Sequence, residues 1–298
     1  MITSRDVSAR LSANSAIKIR AALSQMFDSK TVVNSYLQTH PTSDNPVQDR
    51  ARARAWALVA VNAKTDALRS ALKNHYAIMY ALGWNEGNEL IAKALRARKK
   101  GAITARINPS HAKLPQGVTP IDAGFVMDWA TWTPGSEAAA LLLSPPGGLS
   151  SLLNGMDIKG LVNTSLDQLG TQLADGLNSG LTATQIARSI DDMTSSSSRS
   201  LTISLTEGTR AMVEANRQSF QEQGVQQWEW SVNDPDDADC LDVDGEVQDI
   251  GTSFTNGEDQ PPVHPNCQCS VLPVMPDLSA FGDVNPDVTG YEDVSNDG

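Results

Sequence analysis

"RSLTISLTEGTRAMVEANRQSFQEQGVQQWEWSV", Arg199 to Val232, changes its period once. Up to Gly224, Leu201, Leu205, Met212, Ala215 and Ser219/Phe220 follow one helical face. Glu207, Arg210, Glu214 and Arg217 stand three or four residues apart on another side, where opposite charges meet on successive turns, so a solvated, salt-bridged face is expected there. Beyond Gly224 the period drops to two. Trp228 and Trp230 share one side and Glu229 takes the other, the alternation of a half-buried strand. "GEVQDI", Gly245 to Ile250, is expected to be a second strand entered through an Asp-Gly turn at Asp244. The fold class that follows is mainly α with a small C-terminal α+β unit: long N-terminal helices, and short β-strands around a Cys/His cluster.

Upstream, the helical period dominates. A helix is expected over Val7–Phe27 with Asp6 as its cap, followed by turn chemistry at "HPTSDNP", His40 to Pro46. Val61, Leu68, Leu72, Tyr76 and Met79 predict a second, longer helix reaching about Leu82, which Gly83 ends or kinks. "NEGNELIAKALRARKK", Asn85 to Lys100, then resumes helically. Pro and Gly punctuate the following connector, where a short helix around Ala123–Trp132 is expected to pack Phe125, Trp129 and Trp132. Helical patterning returns from Asp157, and Thr182 or Thr184 caps "TQIARSIDDM". The expected division is a basic helical region 1–115, a connector 116–156, an α+β unit 157–275, and an acidic, mobile tail 276–298.

The net charge of −12 is unevenly spread. Residues 1–106 hold 17 Lys+Arg against 7 Asp+Glu, and residues 107–298 hold 6 against 28. A basic N-terminal part can approach nucleic acid or an acidic protein surface, whereas phosphate repels the remainder. Arg50, Arg52, Arg54, Arg96, Arg98, Lys99 and Lys100 are the candidate contacts, the alternative being that they form ordinary solvated helix faces. The longest apolar runs, "AWALVAV" and "AAALLL", fall far short of a membrane span, and the charged N-terminus lacks the apolar run of a signal peptide, so a cytoplasmic chain is expected.

"PPVHPNCQC", Pro261 to Cys269, holds two of the three cysteines and one of the four histidines. His264 and Cys267 are spaced so that one loop can direct both at a single ion. Cys240 and Cys269 would complete a Cys3His set of the kind zinc prefers, although only one sulfur of Cys-Gln-Cys is expected to reach the ion. Asp237, three residues before Cys240, is the carboxylate that can substitute. The competing reading takes the cysteines as small buried hydrophobes beside a turn. Four protein ligands would leave no open position, so a bound zinc would be structural. No His-Glu-x-x-His helix, Gly-x-Ser-x-Gly elbow or Walker loop is present, so no enzyme is expected.

Taken in order, "LTEGTRAMVEANRQSF", "QQWEWSV", "NDPDDADCLDVDGEV" and "PPVHPNCQC" resemble the Mu F-like head morphogenesis domain of tailed bacteriophages, over about residues 165–274. Thr206, Glu207 and Arg210 match that family's helix motif, and Trp230 and Asp234 match its strand. Pro261, Pro262, His264, Pro265, Asn266, Cys267 and Cys269 match its closing motif. Asp237 stands where the family has the first cysteine of a Cys-x-x-Cys pair, and Gln268 replaces an Arg. The resemblance implies a minor head (capsid) protein at or near the portal vertex, working in head morphogenesis and in DNA packaging or ejection. Its partners would then be the portal protein, the major capsid protein and phage genomic DNA. It would reside in the virion, in the capsid interior or at the portal, after assembly in the host cytoplasm. The alternatives are a zinc-dependent hydrolase or toxin-like effector, and an assembly chaperone absent from the mature virion.

Overall fold

A computed structural model describes residues 2–39, 45–62, 65–99, 121, 124–155, 158–233 and 238–275. The acidic tail, Lys100, Asp237, most of "HPTSDNP" and residues 101–120 lie outside the described residues, as do the side chains of Arg98 and Lys99. Helices α1 (Ser4–Met26), α2 (Ser29–Thr39), α3 (Pro46–Asn62) and α4 (Asp66–Lys99) come first. Then follow α5 (Gly135–Leu143), α6 (Gly147–Gly155), α7 (Ile158–Asn178), α8 (Ala183–Thr194) and α9 (Ser197–Glu222). The chain closes with β1 (Gln227–Ser231), α10 (Ala238–Leu241), β2 (Val247–Asp249) and β3 (Ser270–Val274). Mostly helical, with one small antiparallel sheet at the C-terminal end, this is the expected fold class.

Local chemistry sets the helix starts. The cap of α1 is Thr3 and not Asp6: the Thr3 hydroxyl accepts from the Asp6 amide, and the Asp6 carboxylate accepts from the Thr3 amide at 2.8 Å. Reciprocal bonding of this kind satisfies two amides that the first turn leaves bare. Thr182 and Gln185 make the same box at α8.

Three helices form the centre. Pairs between α4 and α9 climb together, His75 with Ser204, Tyr76 with Glu207 and Asn88 with Ser219, so these two run parallel. Pairs with α1 run the other way, since Ser4 bonds Glu86 while the Ser12 carbonyl accepts from Ser204 at 2.8 Å. Gly83 does not end α4, which continues to Lys99. A Cβ there would lie 2.5 Å from the Met212 carbonyl oxygen and 2.6 Å from its Cα, so the glycine is what lets α9 pass this close. Around this centre α3 packs on α7 and α2 on α8. One apolar cluster joins Ile19, Leu23, Leu72 and Leu82 with Leu166, Leu169, Leu173, Ile186 and Ile190, so the N-terminal helices share a core with α7 and α8.

The carboxylates of the charged ladder on α9 are buried, while its arginines stay partly exposed. Glu207 is 4 % exposed and Glu214 7 %; Tyr76 donates to Glu207, and Arg210 and Arg217 close ion pairs with the two carboxylates. Burial pushes both Tyr76 and Tyr80 well above the usual phenol range, with carboxylate charge adding to it at each. Leu201, expected inside, is 37 % exposed. Small and polar residues, Ser200, Ser204, Gly208 and Ala211, take the inward positions because the neighbouring helices approach so closely. The helix expected around Ala123–Trp132 is instead a turn from Gly124 onward, tightened by the Asp128 carboxylate accepting from the Ala130 amide. Trp129 packs edge-on to Trp132 and donates to Glu89 at 2.8 Å.

His75 yields a pH prediction. Its Nε2–H donates to the Ser204 carbonyl at 2.7 Å, and its buried Nδ1 has no partner among the described residues. Burial therefore holds its pKa down at about 4, against 6.5 in an unfolded chain. The unfolded state then binds the extra proton between these values, and stability falls as pH drops from 6.5 through 4. The expected loss is about 3 kcal/mol. Denaturant titrations across that window are expected to show a flatter pH profile for His75→Gln than for the parent. Identical slopes would refute it.

Candidate metal centre

The three-stranded sheet, in the order β2-β1-β3, supports the cysteine cluster. β1 is antiparallel to both neighbours, pairing Trp230 with Val271 and Trp228 with Gln248. Trp228 and Trp230 face inward at 1 % and 0 % exposure, and Phe254 lies edge-on to Trp230 with ring centres 4.9 Å apart. β3 was not foreseen as a strand because Pro273 interrupts it. It lies at the sheet's edge, where a missing N–H costs least. Val213, Phe220, Ile91 and the three cysteines complete this second apolar cluster.

Two segments deliver the donors. The first is α10, a single turn that carries Cys240. Behind it, Gly245 turns at φ 77° and donates to the Trp230 carbonyl at 2.9 Å. The second is a turn at His264–Cys267, in which the Cys267 amide donates to the His264 carbonyl at 3.2 Å. Asn266 takes φ 64° in this turn, a left-handed conformation that asparagine tolerates better than most residues. Helix α9 holds the turn in place, as the Asn266 amide donates to the Thr206 hydroxyl at 3.0 Å and the Thr209 hydroxyl to the Cys267 carbonyl at 2.9 Å. Adjacent residues on a helix point about 100° apart. Thr206 therefore reaches the turn while Glu207 enters the core, which gives each residue of the motif a separate task. Neither threonine was picked out as a site residue. The only signal was the position of Thr206 within the family motif.

Cys240, His264 and Cys267 offer donor atoms that all lie within 4.8 Å of one another. The Cys240 and Cys267 sulfurs are 3.8 Å apart, and His264 Nε2 is 3.2 Å from the Cys240 sulfur. Two ligands about 2.3 Å from a tetrahedral zinc stand about 3.8 Å apart, so the sulfur pair already has that edge length. His264 Nδ1 donates to the Pro265 carbonyl at 2.9 Å, a bond that leaves the Nε2 lone pair facing the sulfurs. The residues fit a soft divalent ion. Oxygen-seeking ions are disfavoured, since among the described residues no carboxylate belongs to the group.

Cys269 is buried at 4 % beside the other thiols but outside that group of three donors. Alternate residues of extended chain share a face, so Cys267 and Cys269 both turn inward while Gln268 is exposed; only the inner sulfur comes within range of His264. A hydrogen bond from the Cys269 side chain holds the Cys267 thiol down at about 5 against the opposing effect of burial. The same contact, together with burial, pushes Cys269 far above the thiol range. None of the three cysteines is in a disulfide.

The basic residues lie elsewhere. Arg50 forks onto Asp175 of α7 at 2.7 and 2.8 Å, Arg54 pairs with Asp167 of the same helix, and Arg52 with Asp49 of its own. Arg50 and Arg54 thus serve the α3–α7 contact. Arg96 donates to the Phe125 carbonyl at 3.0 Å. Of the seven basic candidates, Arg50, Arg52, Arg54 and Arg96 are described with their side chains, while Lys100 and the side chains of Arg98 and Lys99 lie outside the described residues.

Residues 167–272 match the family described as Phage Mu protein F like protein, which is the region the sequence resemblance covers. The match spans just over a third of the chain and points to phage head morphogenesis. No curated protein and no solved structure matches the chain. No helix among the described residues is long and apolar enough to cross a membrane.

Proposed function

We propose that the protein is a minor head component that acts during head assembly at the portal vertex, through contacts with other head proteins and not through turnover of a substrate. The family match over residues 167–272 carries this reading. The Cys/His group supports it in kind: its two sulfurs are buried at 1 % each, and hydrogen bonds to α9 and to the Pro265 carbonyl hold its loop, an arrangement suited to holding a shape. Packaging or ejection of DNA is the finer part of the proposal and rests on the basic N-terminal composition. Arg50 and Arg54 already hold α7 carboxylates, which makes them the less suitable contacts for phosphate.

Mass spectrometry of purified phage particles tests the proposal. The chain is expected in the virion at a copy number far below that of the major capsid protein, and an immobilised portal is expected to retain it. Absence from particles, with normal abundance in the infected cell, would replace this reading with that of an assembly chaperone. A substrate whose turnover is lost in His264→Ala would replace it with an enzyme.

A further inference from the structure

We infer that Cys240, His264 and Cys267 bind one zinc ion per chain, with Cys269 as the fourth ligand, as a closed structural centre joining α10 to the 264–269 loop. The inference is independent of the head-assembly reading. Three observations carry it. The sulfur separation of 3.8 Å is already that of two thiolates on a tetrahedral zinc. The Pro265 carbonyl fixes the imidazole tautomer that presents a lone pair to the site. The turn bearing His264 and Cys267 is bonded to α9 at two points, so two of the donors sit on anchored backbone.

The fourth position falls to Cys269. Cys269 is the third buried thiol of this cluster, two residues beyond Cys267 and on the same face of the loop, which makes it the sulfur at hand to close the tetrahedron. A set of three sulfurs and one nitrogen fills the tetrahedron and excludes water, so the ion serves as a cross-link and not a reagent. Each coordinating thiol releases its proton to solvent as the ion binds. A bound ion also accounts for the close convergence of these sulfurs and an imidazole, drawn from segments 24 and 27 positions apart.

The test uses the full chain, purified without a metal-chelating tag. Elemental analysis and native mass spectrometry are expected to give one zinc per chain. EDTA is expected to lower the thermal midpoint by roughly 10 °C, with recovery on adding zinc. Cobalt(II) is expected to replace zinc with tetrahedral visible bands and intense sulfur charge-transfer absorption. In Cys269→Ser that absorption should weaken and affinity fall by roughly 10-fold or more, and in His264→Ala and Cys240→Ser stoichiometric binding should be lost. Should those variants fail to fold, release of zinc from the parent chain by a thiol-blocking reagent, read with a colorimetric chelator, gives the same answer. Full cobalt absorption in Cys269→Ser would overturn the four-ligand assignment. A parent chain that binds no zinc when reconstituted, or whose non-reduced mass is two hydrogens short because Cys240 and Cys267 have joined, would overturn the site itself.

Discussion

Gly83→Ala is expected to destabilise the protein by about 3 kcal/mol or more, the upper end of what an inserted methyl group costs a packed core. The added carbon would sit 2.5 Å from the Met212 carbonyl oxygen and 2.6 Å from its Cα, and both are backbone atoms that no rotamer change can move aside. Relief requires α4 and α9 to separate. Separation would lengthen the Tyr76–Glu207 and His75–Ser204 bonds on the same face and leave buried polar groups without partners. For a chain of this size the thermal midpoint is expected to fall by roughly 6–12 °C. Gly147→Ala serves as the control. It lies in α6 with nothing within 4 Å of its would-be Cβ, and it should leave the midpoint unchanged or slightly raised. Equal midpoints for the two variants would show that the close helix contact contributes nothing.

Trp230→Ala is expected to cost about 3–5 kcal/mol, the range for emptying the site of a large buried aromatic. The side chain is fully buried, meets Phe254 edge-on, and lies in the same cluster as Cys240, Cys267 and Cys269. The resulting cavity would open beside the thiols. Two readouts follow: a lower denaturant midpoint, and faster labelling of the cysteines by a thiol reagent under conditions where the parent is protected. Trp230→Phe keeps much of the volume and is expected to recover more than half of the loss. If labelling stayed slow in Trp230→Ala, the tryptophan would not be what shields the cysteines.

Those two positions also show what the sequence could and could not display. The paired tryptophans alternate within five residues, so their shared face and the β1 strand were legible from local spacing alone. Gly83 was not. A glycine that breaks a helix and one that admits a neighbouring helix look the same in a linear pattern, and the deciding atom belongs to Met212, far along the chain. The ladder from Glu207 to Arg217 has the same ambiguity. Its spacing suits a wet face or a dry one, and its carboxylates are buried because Tyr76 of the packed α4 offers Glu207 a hydroxyl while Arg210 and Arg217 close over the two acids. In the Cys/His loop the motif carried through to the geometry for Cys240, His264 and Cys267. The hydroxyls of Thr206 and Thr209 that anchor the turn were missed because their partners are backbone atoms, which no side-chain pattern announces.

The parallel run of α4 beside α9 has a consequence for synthesis. A ribosome must release most of the chain before α9 arrives to cover the inner face of α4. Until then the side of α4 that faces α9 lacks its final cover, a state that favours self-association or the attention of host chaperones. The converse holds for a fragment cut to residues 167–272. It would keep the family signature yet present Ser204 and Glu207 to water, since the helices α1 and α4 that bond to them were left behind. Expression trials that trim the gene to the recognisable segment therefore remove one wall of the interior they aim to isolate.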